Sequence, residues 1–177
     1  MALLRAINVG GKSKVEMSRL KEAFTQLKFD DVSTYINSGN VLFSAKASDR
    51  ARLVKKIEKS IEEEFGFLVP VLLRTQSEIA RITKSVPATW ATNERMRCDV
   101  MFLQPKFDGR AVLTKVPVQP QIEDLRYVPG ALIWRIDRAK AKKSKVGTII
   151  GSDLYKNLTI RNINTVRKLA GLLKATP

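Results

Sequence analysis

Residues 31–45, DVSTYINSGNVLFSA, read as two short β-strands folded back on each other across Asn37-Ser38-Gly39-Asn40. β-branched and aromatic residues alternate with polar ones on both sides, and Asn, Ser and Gly supply the turn. A hairpin here decides the fold, because the segments flanking it are helical. Upstream, MSRLKEAFTQLKF sets Met17, Leu20, Phe24 and Leu27 at three- and four-residue spacing. Downstream, Leu53, Ile57, Ile61 and Phe65 repeat that spacing, with Ser48 placed to cap the helix and Gly66 to stop it. The apolar runs ALLRAI (2–7) and FLVPVLL (67–73) close the series as strands, Pro70 marking an edge position. The order β-α-β-β-α-β is the ferredoxin-like motif, an α+β arrangement.

The second half reads as a partial echo. Thr75 with Glu78 forms a capping box for a linker helix over 75–84 that carries Ile79 and Ile82. A strand over 98–103, a weaker helix near 109–115 and a hairpin over 122–136, turning at Pro129-Gly130, follow. A short helix within 148–156 precedes a terminal helix over 160–174. That helix holds Ile163, Val166, Ala170 and Leu173 on one face, with Thr159 as its N-cap. The expectation is two ferredoxin-like subdomains, β-α-β-β-α-β over 1–75 and a partial β-α-β-β-α repeat over 76–177.

Composition narrows the chemistry. With 44% hydrophobic and 28% charged residues, the chain suits an ordinary globular protein. No apolar run approaches the roughly 20 residues of a membrane helix. MALLRAI is too short for a secretory signal and lacks a basic leader. The single cysteine, Cys98, heads the strand-like run CDVMFL, where it reads as a buried structural thiol in a cytoplasmic protein without disulfides. Histidine is absent, which removes the commonest general base and metal ligand. Cys/His zinc sites and Ser–His or Cys–His nucleophile pairs are excluded with it.

Charge is uneven. Residues 1–70 carry 12 basic and 9 acidic side chains, whereas residues 71–177 carry 20 and 8, so the second half holds +12 of the net +15. The densest stretch, RIDRAKAKKSK (135–145), offers Arg138, Lys140, Lys142, Lys143 and Lys145 as a basic face. Such a field attracts nucleic acid, phosphorylated metabolites or acidic lipid headgroups. A solvated basic surface is the plain alternative.

RAINVGGKSKV (5–15) formally matches a relaxed phosphate-loop pattern, Ala6 followed four residues later by Gly11-Lys12-Ser13. The helical pattern begins only at Met17, and the β-α-β-β order departs from the parallel sheet such loops use. An RNA-recognition reading shares the strand order but lacks its stacking aromatics, with Arg5 on strand one and only Phe43 on strand three. The amides of Gly10 and Gly11, with Lys12, Lys14 and Arg5, still suit a phosphate or carboxylate. Arg5 stands in mid-strand on the face of Leu3 and Ile7, where it needs a partner or a ligand. Ser33, Tyr35 and Asn37 form a matching polar row. In the terminal helix, Arg161, Asn164, Thr165 and Lys168 share a stripe with Asn162 beside it. Both capping and ligand binding account for the asparagines.

Three blocks, ALLRAINVGGKSKVEM (2–17), TYINSGNVLF (34–43) and TIRNINTVRKLAGL (159–172), resemble the signature of the bacterial domain-of-unknown-function 1697 family. RIDRAKAKKSKV (135–146) resembles the segment before that family's C-terminal helices. The resemblance implies paired ferredoxin-like α+β subdomains and brings no established activity, substrate or cofactor. It carries over Arg5, Asn8, Gly10, Gly11, Lys12 and Lys14 in the first block, and Tyr35, Ser38, Gly39 and Asn40 in the second. Near the end it carries over Ser144, Lys145, Thr159, Arg161, Asn162, Asn164 and Thr165. The chain departs from the family at Ala6, Asn37 and Ile163, where Gly, Gln and Trp are usual, and its segment before Thr159 is shortened.

The resulting expectation is a polar pocket made by the glycine loop, the hairpin turn and the C-terminal helix. With the basic face, it would bind nucleic acid or a phosphorylated molecule. The alternative is an enzyme acting on a small phosphorylated or carboxylated metabolite without histidine or metal. A third reading, a partner-interaction module, calls for an exposed apolar patch. No cofactor, membrane association or oligomeric state follows from the sequence.

Overall fold

The computed structural model describes residues 1–11, 13–46 and 49–175. The chain divides into two compact units, the first running to Gln76 and the second from Ser77 to Lys174.

The first unit comprises β1 (Ala2–Leu4), α1 (Met17–Gln26), β2 (Asp30–Tyr35), β3 (Asn40–Ser44), α2 (Arg50–Phe65) and β4 (Val71–Leu73). Its sheet has the order β2-β3-β1-β4 with every pairing antiparallel, the ferredoxin-like arrangement expected. β4 is an edge strand, and Pro70 lies just before it, where a missing N–H costs no ladder bond. Ala2 and Leu4 meet Leu20 and Phe24 of α1 and Ile57 and Ile61 of α2 in the core. Phe43 is part of that core, stacked on Phe29 at 4.6 Å and edge-on to Phe24 at 5.4 Å, so it offers no open face to a base. The N-cap of α2 is Asp49, whose carboxylate accepts the Ala51 N–H at 2.9 Å. Ser48, the expected cap, lies outside the described residues. Gly66 ends α2 at φ +77°, its N–H donating to Glu62 O at 2.8 Å.

β1 is shorter than its apolar run. Ala6 turns the backbone to φ +55°, so alternation stops and Ile7 joins Ala2 and Leu4 in the core instead of sharing a face with Leu3. Arg5 is therefore half-buried just past the strand and not in its middle, its N–H donating to Pro70 O at 3.0 Å.

In the second unit, α3 (Gln76–Lys84) leads into β5 (Met96–Leu103), the hairpin β6 (Glu123–Val128) and β7 (Ala131–Asp137), α4 (Asp153–Lys156), β8 (Leu158–Asn162) and α5 (Ile163–Ala175). The sheet order β6-β7-β5-β8, all antiparallel, repeats the first sheet in full where a partial repeat was expected. Three expectations are corrected here. The helix near 109–115 is a 3-10 segment, Arg110–Lys115. The terminal helix starts at Ile163, because residues 158–162 pair with β5. Thr159 is accordingly buried opposite Phe102 and caps nothing; the cap is Asn162, whose Oδ1 accepts the Thr165 N–H at 2.9 Å.

The Pro129-Gly130 turn forms as read, with Gly130 at φ +94° and its N–H donating to Asp108 Oδ1 at 2.7 Å. Met101, Leu103, Leu132 and Ile136 form the core with Val112, Val146 and Leu154. No helix among the described residues is long and apolar enough to cross a membrane.

Candidate functional site

Asn8 organises the glycine loop. Its Nδ2 donates to Val15 O and Asn37 O, both at 2.9 Å, and its Oδ1 accepts the Val15 N–H at 2.8 Å. Its backbone N–H donates to Ser13 O at 3.1 Å. Among the described residues of the loop, Ala6, Asn8, Gly10, Gly11 and Ser13 have positive φ. At Gly10 and Gly11 an added Cβ would meet nothing within 4 Å, so backbone angle and not crowding calls for glycine there. Gly39 is different: its Cβ would lie 2.6 Å from Leu4 Cβ and 2.8 Å from Ile7 Cδ1. Its carbonyl accepts the Leu4 N–H at 2.8 Å. The buried Asn40 donates from Nδ2 to Tyr35 O at 2.9 Å and Ser38 Oγ at 3.0 Å.

Loop and hairpin together wall a groove of about 630 Å³, lined by Asn8, Gly11, Lys14, Glu16, Ser18 and Asn37 among others. Lys14 is exposed; the Glu16 carboxylate accepts from Ser18 Oγ at 2.6 Å. Tyr35 is half-buried at the end of β2. Lys12 lies outside the described residues. The helix after this loop begins at Met17 and the sheet is antiparallel throughout, which is not the frame of a phosphate-loop nucleotidase.

In the second unit, Arg161 sits on β8 and not on a helix. It is buried, with Nη1 donating to Ile160 O at 2.9 Å, and burial lowers its pKa to about 10. Asn164 pins the connector before β5: its Nδ2 donates to Thr92 O at 2.7 Å and its Oδ1 accepts the Thr92 N–H at 3.2 Å. Thr165 is buried in the first turn of α5. Asn162 thus caps and Asn164 braces. Cys98 is a buried thiol, as read, and burial pushes its pKa up to about 12.

The basic face is a fixed structure. Arg138–Lys143 form a 3-10 helix whose cap, Asp137, accepts the Ala139 N–H at 3.0 Å. Arg138 Nε donates to Asn93 O at 2.6 Å, and Lys143 O accepts from Gln119 Nε2 at 2.8 Å. Lys140, Lys142, Lys143 and Lys145 are exposed, and among the described residues none forms an ion pair.

A site that sequence reading passed over lies beside this segment. A cavity of about 310 Å³ is lined by Asp99, Met101, Trp134, Ser144, Ile150 and Tyr155 among others. The Asp99 side chain is only 7% exposed, and its Oδ2 accepts from Arg97 Nε at 2.7 Å. Burial raises the Asp99 pKa, with Arg97 opposing the shift. The Arg97 guanidinium lies 5.3 Å from the centre of the Trp134 ring. The one available signal was an aspartate inside the otherwise apolar strand CDVMFL. Among the described residues no three Cys, Asp or Glu side chains gather to hold a metal ion.

The model of a family described as "Protein of unknown function (DUF1697)" matches residues 1–134. Among solved structures, the conserved bacterial protein SP0830 from Streptococcus pneumoniae is similar, at 28% identity and a TM-score of 0.78. That likeness covers 97% of this chain and 96% of the other. No curated protein matches the chain.

Proposed function

The chain belongs to the DUF1697 family of proteins of unknown function, and from that premise we propose that it binds an anionic ligand, nucleic acid or a phosphorylated molecule. The observation that carries this reading is the segment 138–145. Lys140, Lys142, Lys143 and Lys145 stand exposed on a backbone held at both ends, with no acid paired to them among the described residues. In a 3-10 helix residues three apart eclipse, which sets Lys140 and Lys143 on one side, about 6 Å apart along the axis. Because the backbone is already ordered, binding need not supply that ordering cost. The first unit supports the same chemistry through the open groove beside Gly11 and Lys14.

The test is fluorescence anisotropy with a short labelled single strand, repeated across about 50 to 200 mM salt, with sugar phosphates as competitors. Affinity is expected to fall as salt rises. In Lys142→Ala/Lys143→Ala the log–log salt slope should shrink by about 1.4, two contacts at roughly 0.7 each on a single strand. Binding indifferent to both salt and the double substitution would overturn the reading.

A further inference from the structure

The cavity in the second unit has a chemistry of its own. Register places Asp99 directly opposite Trp134 on neighbouring strands, so their side chains project from the same face of the sheet. The Asp99 Oδ2 is held by Arg97, while Oδ1 accepts no hydrogen bond among the described residues. The Trp134 Nε1–H is buried and has no acceptor among the described residues, in a residue only 5% exposed. An acceptor oxygen and an indole N–H without partners among the described residues therefore belong to paired residues on one face of the sheet. Folded proteins satisfy the great majority of buried polar groups, so the buried Trp134 N–H calls for a partner such as water, an ion or a ligand.

Most of the remaining lining is apolar, including Met101, Ile149 and Ile160, with Ser144 and Tyr155 as its polar members, and Ile150 stands at the cavity 67% exposed. At about 310 Å³ the space is at the small end of ligand sites, enough for a single ring system. Ala141 and Ser144, which also line it, belong to the lysine-rich segment. A ligand suited to all of this is planar and largely apolar, has an N–H donor beside an acceptor on one edge, and carries phosphate.

We infer that this cavity receives the base of a nucleotide, with Asp99 accepting from a base N–H, Trp134 Nε1 donating to a ring nitrogen or carbonyl, and the neighbouring lysines holding the phosphate. The inference rests on the anion-binding reading for the phosphate and adds to it a site for the base. The base comes either from a free nucleotide or from an unstacked position of a single strand, the usual way proteins read such bases.

Calorimetric titration of the full chain with AMP, CMP, GMP and UMP, each against ribose 5-phosphate, separates base from phosphate. At least one nucleotide is expected to bind ten-fold or more tighter than the base-free sugar phosphate. Asp99→Leu and Trp134→Phe should each bring that ratio close to one while leaving ribose 5-phosphate affinity unchanged. Two substitutions guard against one that fails to fold, and circular dichroism identifies that case. Homopolymeric strands of A, C and U, titrated alongside, tell a free nucleotide from a strand as the source of the base. A ratio near one in the unsubstituted protein, or a ratio that survives both substitutions, overturns the base site. If strands still bind with salt sensitivity in that event, the anion-binding reading stands alone. If instead a nucleotide keeps its advantage but no strand binds and Lys142→Ala/Lys143→Ala changes nothing, the base site stands and the lysine-face reading falls.

Discussion

Gly39 and Gly10 share a left-handed backbone, at φ +74° and +63°, but not an environment. Alanine at Gly10 meets only the backbone penalty, roughly 1–2 kcal/mol. Alanine at Gly39 also drives a Cβ to 2.6 Å from Leu4 Cβ, backbone-proximal atoms that cannot swing aside. Overpacking adds roughly 1–3 kcal/mol. Urea midpoints should therefore fall about twice as far for Gly39→Ala as for Gly10→Ala, and equal losses would mean that the hairpin can move away from β1. Asp99 makes the opposite case, a residue that costs stability where it stands. Burial raises its pKa above 3.8, against Arg97 and Arg138, so the fold favours the neutral carboxyl. Its favourable contribution is complete below pH 3.8 and is lost as pH rises through the folded-state value. Asp99→Asn should accordingly unfold at a higher temperature than the parent at pH 7, with the gap closing toward pH 3.8. Arg97, half-exposed at 52%, can return to water in the variant. A variant less stable at pH 7 would show that the ion pair outweighs the desolvation.

At the junction of β8 and α5, one asparagine turns a strand into a helix without any loop. Asn162 Oδ1 accepts the Thr165 N–H, the bond that satisfies an otherwise orphaned donor at a helix start. Asn162→Ala should cost about 1 kcal/mol in thermal or urea unfolding, while Asn162→Asp, which keeps the acceptor and suits the helix N-terminus, should cost almost nothing. The same junction explains which elements could be read in advance. The first unit was legible because its elements end in punctuation: Gly39 in the hairpin, Gly66 after α2, Pro70 before the edge strand. β8 carries none. Leu158 and Ile160 pack in the core as alternate residues of a strand, yet Ile160, Ile163 and Val166 also fit a helical spacing, so the strand disappears into the helix that follows. The candidate site divides in the same way. The positions of Asn8, Gly10, Gly39 and Asn40 were visible in the turn-forming residues, but a sequence does not tell whether an asparagine faces a ligand or its own backbone. The Asp99–Trp134 pair could not be read at all, since only strand register brings the two together.

Over the whole molecule, a net charge of +15 makes salt act in two opposite directions. Arg19–Glu64, Lys59–Glu63, Lys106–Asp153 and Arg135–Asp124 are exposed or partly exposed ion pairs, whereas Asp99, paired with Arg97, is well buried. Exposed pairs contribute about 0–1 kcal/mol each, so screening them loses little. Repulsion among 32 basic side chains, offset by only 17 acidic ones, is the larger quantity, and most of the excess lies in the second half of the sequence. The melting temperature should therefore rise as sodium chloride increases toward about 0.15 M, where the screening length falls to about 8 Å, while polyanion affinity falls over the same range. Phosphate separates screening from binding. At matched ionic strength it stabilises most proteins somewhat by exclusion from their surface, so the informative quantity is the difference between parent and Lys142→Ala/Lys143→Ala. A bound anion stabilises by mass action, and that extra shift should vanish in the double variant while the chloride response shrinks only slightly. If both variants gain equally from phosphate, the lysines act as a diffuse charge and the anion is held elsewhere on the surface.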